Sequence, residues 1–178
     1  MKAYFEQRAA YNRWANARLY EAALALPDAD YRRDVGAFFK SLHGTLNHLL
    51  LTDRMWFKRL TNEGDHPNKL NAIIHEDRAA LATARADEDD RIVRYVASLS
   101  PEALEGMLSY ANTSGQPFTQ KRRDILAHIF NHQTHHRGQA HTILSIITGR
   151  EPPVLDLLAM QRGSPAPDLR ALARTVGA

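Results

Sequence analysis

Hydrophobic residues recur at steps of three and four along four long stretches of the chain, and this spacing predicts four helices. The stretches cover residues 3–26, 35–62, 77–99 and 120–148. Proline and glycine residues are concentrated between them, where they end helices and open loops. Because each helix is long and has an apolar face to bury, the pattern predicts an all-α fold, a four-helix bundle.

Two regions lack this periodicity. Residues 102–120 are irregular and contain the turn-forming run Asn112–Gly115, which predicts a short β-hairpin before the fourth helix. The tail, residues 154–178, predicts short helical pieces joined by the loose sequence GSPAP. A length of 178 residues suits one domain, so we expect a single helical-bundle domain over residues 1–178.

Composition limits the chemistry. The chain has no cysteine, so disulfides and thiolate metal sites are excluded, and a metal site must use His, Asp or Glu. The N-terminus is charged too often for a signal peptide, and no window resembles a membrane span, so we expect a soluble, cytoplasmic protein. The net charge is only +3, with acidic and basic residues interleaved, so we expect no nucleic-acid partner and no membrane partner.

Five of the nine histidines lie within residues 128–141. His128, His132 and His136 are four residues apart, so successive side chains differ by only about 40° around the helix and share one face. His132 and His136 also take positions where the apolar stripe of the fourth helix expects Leu or Ile. That stripe consists of Ile125, Ile129, His132, His136, Ala140, Ile143 and Ile147.

Two imidazoles on a core-facing stripe are costly without partners, and a metal ion supplies them. Histidines at i and i+4 of one helix are a recurring chelating pair. The spacing leaves two alternatives open: hydrogen-bonded core histidines, and a solvated histidine-rich run.

A third ligand should come from a facing helix, and the second helix offers His43 and His48. Periodicity does not choose between them, although the mid-helix depth of His48 matches His132 and His136 better. Three imidazoles on a divalent ion leave a position for water or substrate, as in catalytic rather than structural sites. Such an ion lowers the pKa of a bound water or thiol.

Three further residues are candidates for supporting roles. Asp53 interrupts the apolar stripe of the second helix, and a buried carboxylate needs a partner. It either orients a ligand histidine or forms an ion pair with a basic group such as Arg54 or Arg137. His128 lies one turn before His132 and is a candidate hydrogen-bond donor to a ligand, proton shuttle or fourth metal ligand, with a plain core or hydrogen-bonding role as the alternative. Gln139 lies one turn after His136 and is a candidate to hydrogen-bond a bound ligand.

No other catalytic motif is present in the sequence. Walker, GxGxxG and GxSxG sequences are missing, and His75–Glu76 is not followed by the second histidine of an HExxH motif. These absences argue against a zincin-type protease and against nucleotide-binding or serine-hydrolase chemistry.

Three segments together resemble the DinB-like family of metal-dependent proteins: YNRWANARL, LNHLLLTDRMWFKRL and HIFNHQTHHRGQAHTIL. The resemblance implies a bundle with up-down-down-up helix order and a three-histidine site for a divalent ion, with zinc or nickel favoured and iron or copper also suited. Carried onto this chain, the ligands are His48, His132 and His136. The resemblance therefore selects His48 over His43.

The resemblance also implies a homodimer and an activity similar to thiol-dependent transferases or isomerases that use mycothiol, bacillithiol or glutathione. The resulting hypothesis is a metal-dependent enzyme that activates a low-molecular-weight thiol for transfer to a small electrophile. Two alternatives remain: a metal-dependent hydrolase that uses activated water, and a non-catalytic stress protein that binds a metal or ligand.

Overall fold

The computed structural model describes residues 1–177, which contain eight helices and one two-stranded antiparallel hairpin. Among these residues, no helix combines the length and apolar character needed to cross a membrane. The prediction of an all-α fold with a short hairpin is confirmed. The elements are α1 (Lys2–Leu24), α2 (Asp28–Tyr31), α3 (Leu42–Thr61), α4 (Arg78–Ser98), α5 (Pro101–Glu105), β1 (Met107–Ala111), β2 (Pro117–Lys121), α6 (Arg122–Thr148), α7 (Leu157–Gln161) and α8 (Leu169–Val176).

The bundle consists of the four long helices α1, α3, α4 and α6. Two pairs of these helices, α3 with α6 and α1 with α4, are antiparallel. His48 of α3 meets His136 of α6, while Trp56, two turns later in α3, meets the earlier His128 of α6. Helices α1 and α4 also run in opposite directions, because the start of α1 contacts the end of α4. Lys2 donates to the Ala97 carbonyl at 2.8 Å.

Helices α3 and α4 run in the same direction. Asp53 contacts Arg85, and the later Phe57 contacts the later Tyr95. Together with the antiparallel pairs, this gives the order up for α1, down for α3 and α4, and up for α6, as the resemblance implied. A parallel pair needs a connection that returns along the bundle, and residues 62–77 form this return segment.

The second helix begins seven residues later than the hydrophobic pattern predicts, at Leu42 instead of residue 35. The intervening segment contains left-handed backbone at Gly36 (φ 75°) and Lys40 (φ 67°), which a right-handed helix excludes. Ser41 then caps α3, its side chain accepting from the Gly44 amide at 3.1 Å. Phe39, assigned to the helix by its spacing, therefore lies in a loop.

The bundle core has a buried polar layer between two apolar clusters. One cluster includes Leu19, Leu42, Leu46, Leu81 and Leu144, and the other includes Phe5, Phe57, Ile92, Ile125 and Ile129. Each of the four long helices contributes side chains to the layer. Its members are Asn12, Asn16, Asp53, Arg85, Asp89, Gln133 and Arg137.

Arg85 is the centre of this polar layer and is wholly buried. Its guanidinium lies 2.8 Å from the Asp53 carboxylate and 3.1 Å from the Asp89 carboxylate. Asn16 of α1 donates to Asp89 at 2.9 Å, and Arg137 of α6 donates to the Asn16 side-chain oxygen at 3.3 Å. Buried charges are tolerated when they are paired in this way. The layer therefore fixes the positions of the four helices relative to one another along the bundle axis.

Candidate metal centre

Three histidines from two antiparallel helices converge on one point. His48 of α3 and His132 and His136 of α6 each offer a ring nitrogen, and these three atoms all lie within 4.8 Å of one another. The Nε2 atoms of His48 and His136 are 3.3 Å apart. All three members of the group are histidines, a donor set that suits a divalent transition metal.

The position of the α6 histidines differs in detail from the predicted stripe. The middle of the buried face is formed by Gln133 and Arg137, which are 0% and 2% exposed. His132 and His136 are half-buried at the edge of that face, beside α3. At this edge the side chains of His132 and His136 are partly exposed, whereas His48 is buried.

The His48 ring is held by the return segment. Its Nδ1 lies 2.7 Å from the carbonyl oxygen of Leu70. A carbonyl only accepts hydrogen bonds, so Nδ1 carries the hydrogen and donates it. The Nε2 atom of His48 is then left with a free lone pair that points at the other two histidines, as is usual for a metal-ligating histidine.

Gln139 holds His136 in the same way. Its side-chain oxygen accepts from His136 Nδ1 at 2.7 Å, while its amide nitrogen lies 3.3 Å from Nε2 of His135. His136 therefore also presents a lone pair at Nε2. Two lone pairs 3.3 Å apart repel unless a cation lies between them, so the arrangement fits a bound metal ion.

The three histidines are in the form that a metal requires. Burial lowers the pKa of His48 to about 4 and that of His132 to about 3. Burial also lowers the pKa of His136, although its hydrogen bond to Gln139 opposes the shift. All three rings are thus neutral near pH 7, and neutral imidazole is the species that binds metals.

Phe39 covers one side of the centre. Its ring stacks on His48 with centroids 4.0 Å apart and an angle of 21°, and it lies 5.6 Å from the His136 ring. Neither Phe39 nor Leu70 was a candidate from the sequence. The spacing of Phe39 predicts a core position in a helix. Leu70 contributes its backbone carbonyl, and the type of side chain does not indicate such a role.

His128 flanks the centre without joining it. Its ring centroid is 5.9 Å from that of His132 and 5.2 Å from that of Trp56. The side chain reaches solvent, and partial burial lowers its pKa. It therefore lies beside His132 but outside the group of three histidines whose ligand atoms lie within 4.8 Å of one another.

The other sequence candidates lie elsewhere. Asp53 contacts no ligand histidine but pairs with Arg85 in the polar layer, which matches the ion-pair alternative. His43 packs beside Tyr31, with centroids 5.2 Å apart, and lies 3.5 Å from the Glu76 carboxylate. Both residues are thus separate from the three-histidine group.

The up-down-down-up bundle and the all-histidine centre define a class of helical proteins with a three-histidine group that could hold a metal ion. The sequence profile of the DinB family matches residues 1–169, so the chain belongs to the DinB family. The chain is also 25% identical over 140 residues to Protein DinB of Bacillus subtilis (strain 168), an alignment that covers 75% of this chain and 80% of that protein.

Proposed function

We propose that this protein is a metal-dependent enzyme that activates a low-molecular-weight thiol for transfer to a small electrophile. The observation that carries the proposal is the convergence of three neutral imidazoles, two of them half-buried, whose ligand atoms lie within 4.8 Å of one another. Three protein ligands leave a coordination position for a substrate atom. Imidazole donors together with a thiolate favour zinc or nickel among the common divalent ions.

Each residue around the centre has a defined task in this proposal. His48, His132 and His136 hold the ion, while the Leu70 carbonyl and Gln139 keep two of the rings in the ligating tautomer. A divalent ion bound there supplies Lewis-acid chemistry that lowers the pKa of a thiol toward neutrality. Phe39 shields the His48 ring from water on one face.

Hydrolysis by an activated water is a second candidate function. A hydrolase needs a base that can accept a proton from the attacking water, and neutral, exposed His128 lies beside His132, with ring centroids 5.9 Å apart. In the thiol reaction the same residue would take the thiol proton. His128 therefore serves either reaction.

One set of measurements separates these functions. Protein loaded with zinc or nickel is titrated calorimetrically with glutathione, bacillithiol and mycothiol, and ester and amide probes are assayed without thiol. Thiol affinity that chelation abolishes supports the transferase. Chelator-sensitive turnover of esters without thiol supports the hydrolase, whereas metal binding with neither property leaves a non-catalytic metal- or ligand-binding stress protein.

The homodimer implied by family resemblance is part of the proposal. Light scattering of the metal-loaded protein measures the mass of the particle directly. A mass of one chain at all concentrations would contradict it.

A further inference from the structure

Arg59 is a cation with an unusual set of neighbours. It lies on α3, eleven residues after the ligand His48. Its guanidinium carbon is 4.6 Å from the ring centroid of Trp56 and 5.2 Å from that of Tyr110, which belongs to β1. The side chain is half-buried between an aromatic ring of the bundle and one of the hairpin.

No acidic partner offsets this charge. Within residues 1–177, no carboxylate lies within 4.0 Å of Arg59, and burial lowers its pKa. Its immediate neighbour Lys58, by contrast, lies 3.5 Å from the Asp65 carboxylate. The two aromatic faces hold the guanidinium in place but use none of its five hydrogen-bond donors.

A continuous strip of side chains joins Arg59 to the metal centre. His132 is followed by His128 at 5.9 Å, His128 by Trp56 at 5.2 Å, and Trp56 by Arg59 at 4.6 Å. Each member of the strip is half-buried or exposed. A molecule bound at the three histidines can therefore lie along α3 and α6 and reach Arg59 without displacing any core residue.

The length of the strip defines the size of such a molecule. Eight residues separate His48 from Trp56, which is about 12 Å along a helix axis. The backbone of Arg59 lies farther along α3, but its guanidinium lies over the Trp56 ring, 4.6 Å from the centroid, so the distance to Trp56 approximates the distance to the cation. An extended chain of three residues spans about 10–11 Å. The strip thus matches a ligand of roughly tripeptide size, with one end at the histidines and the other at Arg59.

From these observations we infer that Arg59, Trp56 and Tyr110 form an anion subsite that binds a carboxylate at the far end of the substrate. This inference rests on the proposed function, because the reactive end of the same substrate binds at the three histidines. The carboxylate takes hydrogen bonds from the guanidinium, whose fork geometry matches two carboxylate oxygens. Trp56 supports the chain of the ligand between the two ends.

The test uses ligands whose metal-binding end is not a thiol. Mono-hydroxamates of straight-chain dicarboxylic acids carry a metal-chelating hydroxamate at one end and a carboxylate at the other, and their methyl esters lack the charge. Affinities of the acids and esters for the nickel- or zinc-loaded protein are compared as the chain is lengthened. We expect the acid to bind about tenfold tighter than its ester at a length near 12 Å, and equally at short lengths.

Arg59→Gln should abolish the preference for the acid, whereas Arg94→Gln should keep it. Arg94 is an exposed arginine of α4, so both variants change the net charge equally. Arg59→Lys should restore only part of the preference, because it keeps the charge and loses the fork. Metal content and melting temperature of each variant check that the bundle is intact.

The outcomes separate this inference from the proposed function. Equal binding of acid and ester at every length, or a preference that survives Arg59→Gln, overturns the subsite and leaves the metal chemistry standing. A carboxylate preference that needs Arg59, in a protein with no affinity for cellular thiols, supports the subsite and removes the thiol proposal. Failure of every hydroxamate to bind the loaded protein overturns the subsite, whereas the calorimetric titration with cellular thiols decides the thiol proposal separately.

Discussion

The Nε2 atoms of His48 and His136 face each other at 3.3 Å, and the Nδ1 atom of each ring donates to a protein oxygen 2.7 Å away. Each ring therefore has its hydrogen on the outside and its lone pair on the inside. This relationship makes the pair a preformed chelate, because neither ring has to change tautomer or orientation when an ion binds.

Removing any one of the three ligands should cost most of the metal affinity. We expect His48→Ala, His132→Ala and His136→Ala each to lower affinity by at least about 100-fold, more than the loss of a residue that only supports a ligand. Elemental analysis of tag-free protein and competition with a chelator measure the change. His66→Ala, at a half-buried histidine outside the three-histidine group, is the control. Stoichiometric metal in all three variants would show that the ion binds elsewhere.

Gln139 should matter through the acceptor that it offers to His136. Gln139→Leu removes this oxygen, and we expect metal affinity to fall by about 10- to 100-fold while the ligand number stays at three. Gln139→Glu keeps an acceptor and should retain most of the affinity. Competition titrations and the ligand-field spectrum of the cobalt-substituted protein report the two effects. Equal affinities for wild type and Gln139→Leu would contradict this role.

The apo-protein should lose stability as the pH falls from about 6.5 toward 4. The pKa of His48 is lowered to about 4 in the folded chain by burial, below the value of about 6.5 for an unperturbed histidine. Between these pH values the unfolded chain binds more protons than the folded chain, so the unfolding free energy decreases on acidification. His132 and His136 shift in the same direction.

Urea unfolding of the chelator-treated protein at several pH values measures this slope. His48→Asn should have a shallower slope because it removes one of the titrating groups. An unfolding free energy that is constant from pH 7 to pH 5 would be the contrary result. Metal-loaded protein should show a steeper loss in the same range, since protons and the ion compete for the same nitrogens.

Breaking the central ion pair should destabilise the whole bundle. Asp53→Ala leaves Arg85 buried with one carboxylate partner fewer, and we expect a loss of about 3–5 kcal/mol in unfolding free energy. Urea denaturation of metal-free protein measures this loss independently of the metal centre. Asp65→Ala removes an acid from an exposed pair and should leave the denaturation midpoint nearly unchanged. Similar midpoints for the two variants would mean that the buried pair contributes little.

Periodicity was enough to predict the four long helices and the pairing of His132 with His136, and turn-forming residues predicted the hairpin before the last helix. The reason is that an i, i+4 spacing fixes direction within one helix regardless of what surrounds it. The same spacing does not show which residues of two different helices face each other. The choice between His43 and His48 depends on the relative height and rotation of α3 and α6, which the spacing within either helix does not determine.

Other parts of the site depend on contacts between distant segments. Phe39 lies in a loop because left-handed backbone at Lys40 interrupts a hydrophobic pattern that otherwise reads as helix. Leu70 contributes a backbone oxygen, so the identity of its side chain does not indicate that it accepts from His48. Asp53 is recognisable as a carboxylate in need of a partner, but its partner, Arg85, lies on α4, a helix whose polar sequence predicts a wide solvent face.

The return segment, residues 62–77, should tolerate changes in length and sequence less well than most surface loops do. Loops of this kind are normally the places where a chain tolerates insertion, deletion or circular permutation. Here the Leu70 oxygen must reach His48 at a fixed point along that path. Shortening the segment, or replacing it with a flexible linker of equal length, should leave the helices folded and yet weaken the centre. Placing three histidines on an ordinary up-down-up-down bundle would therefore not reproduce the site. The short turns of such a bundle include no return segment whose backbone carbonyl could accept from the third histidine.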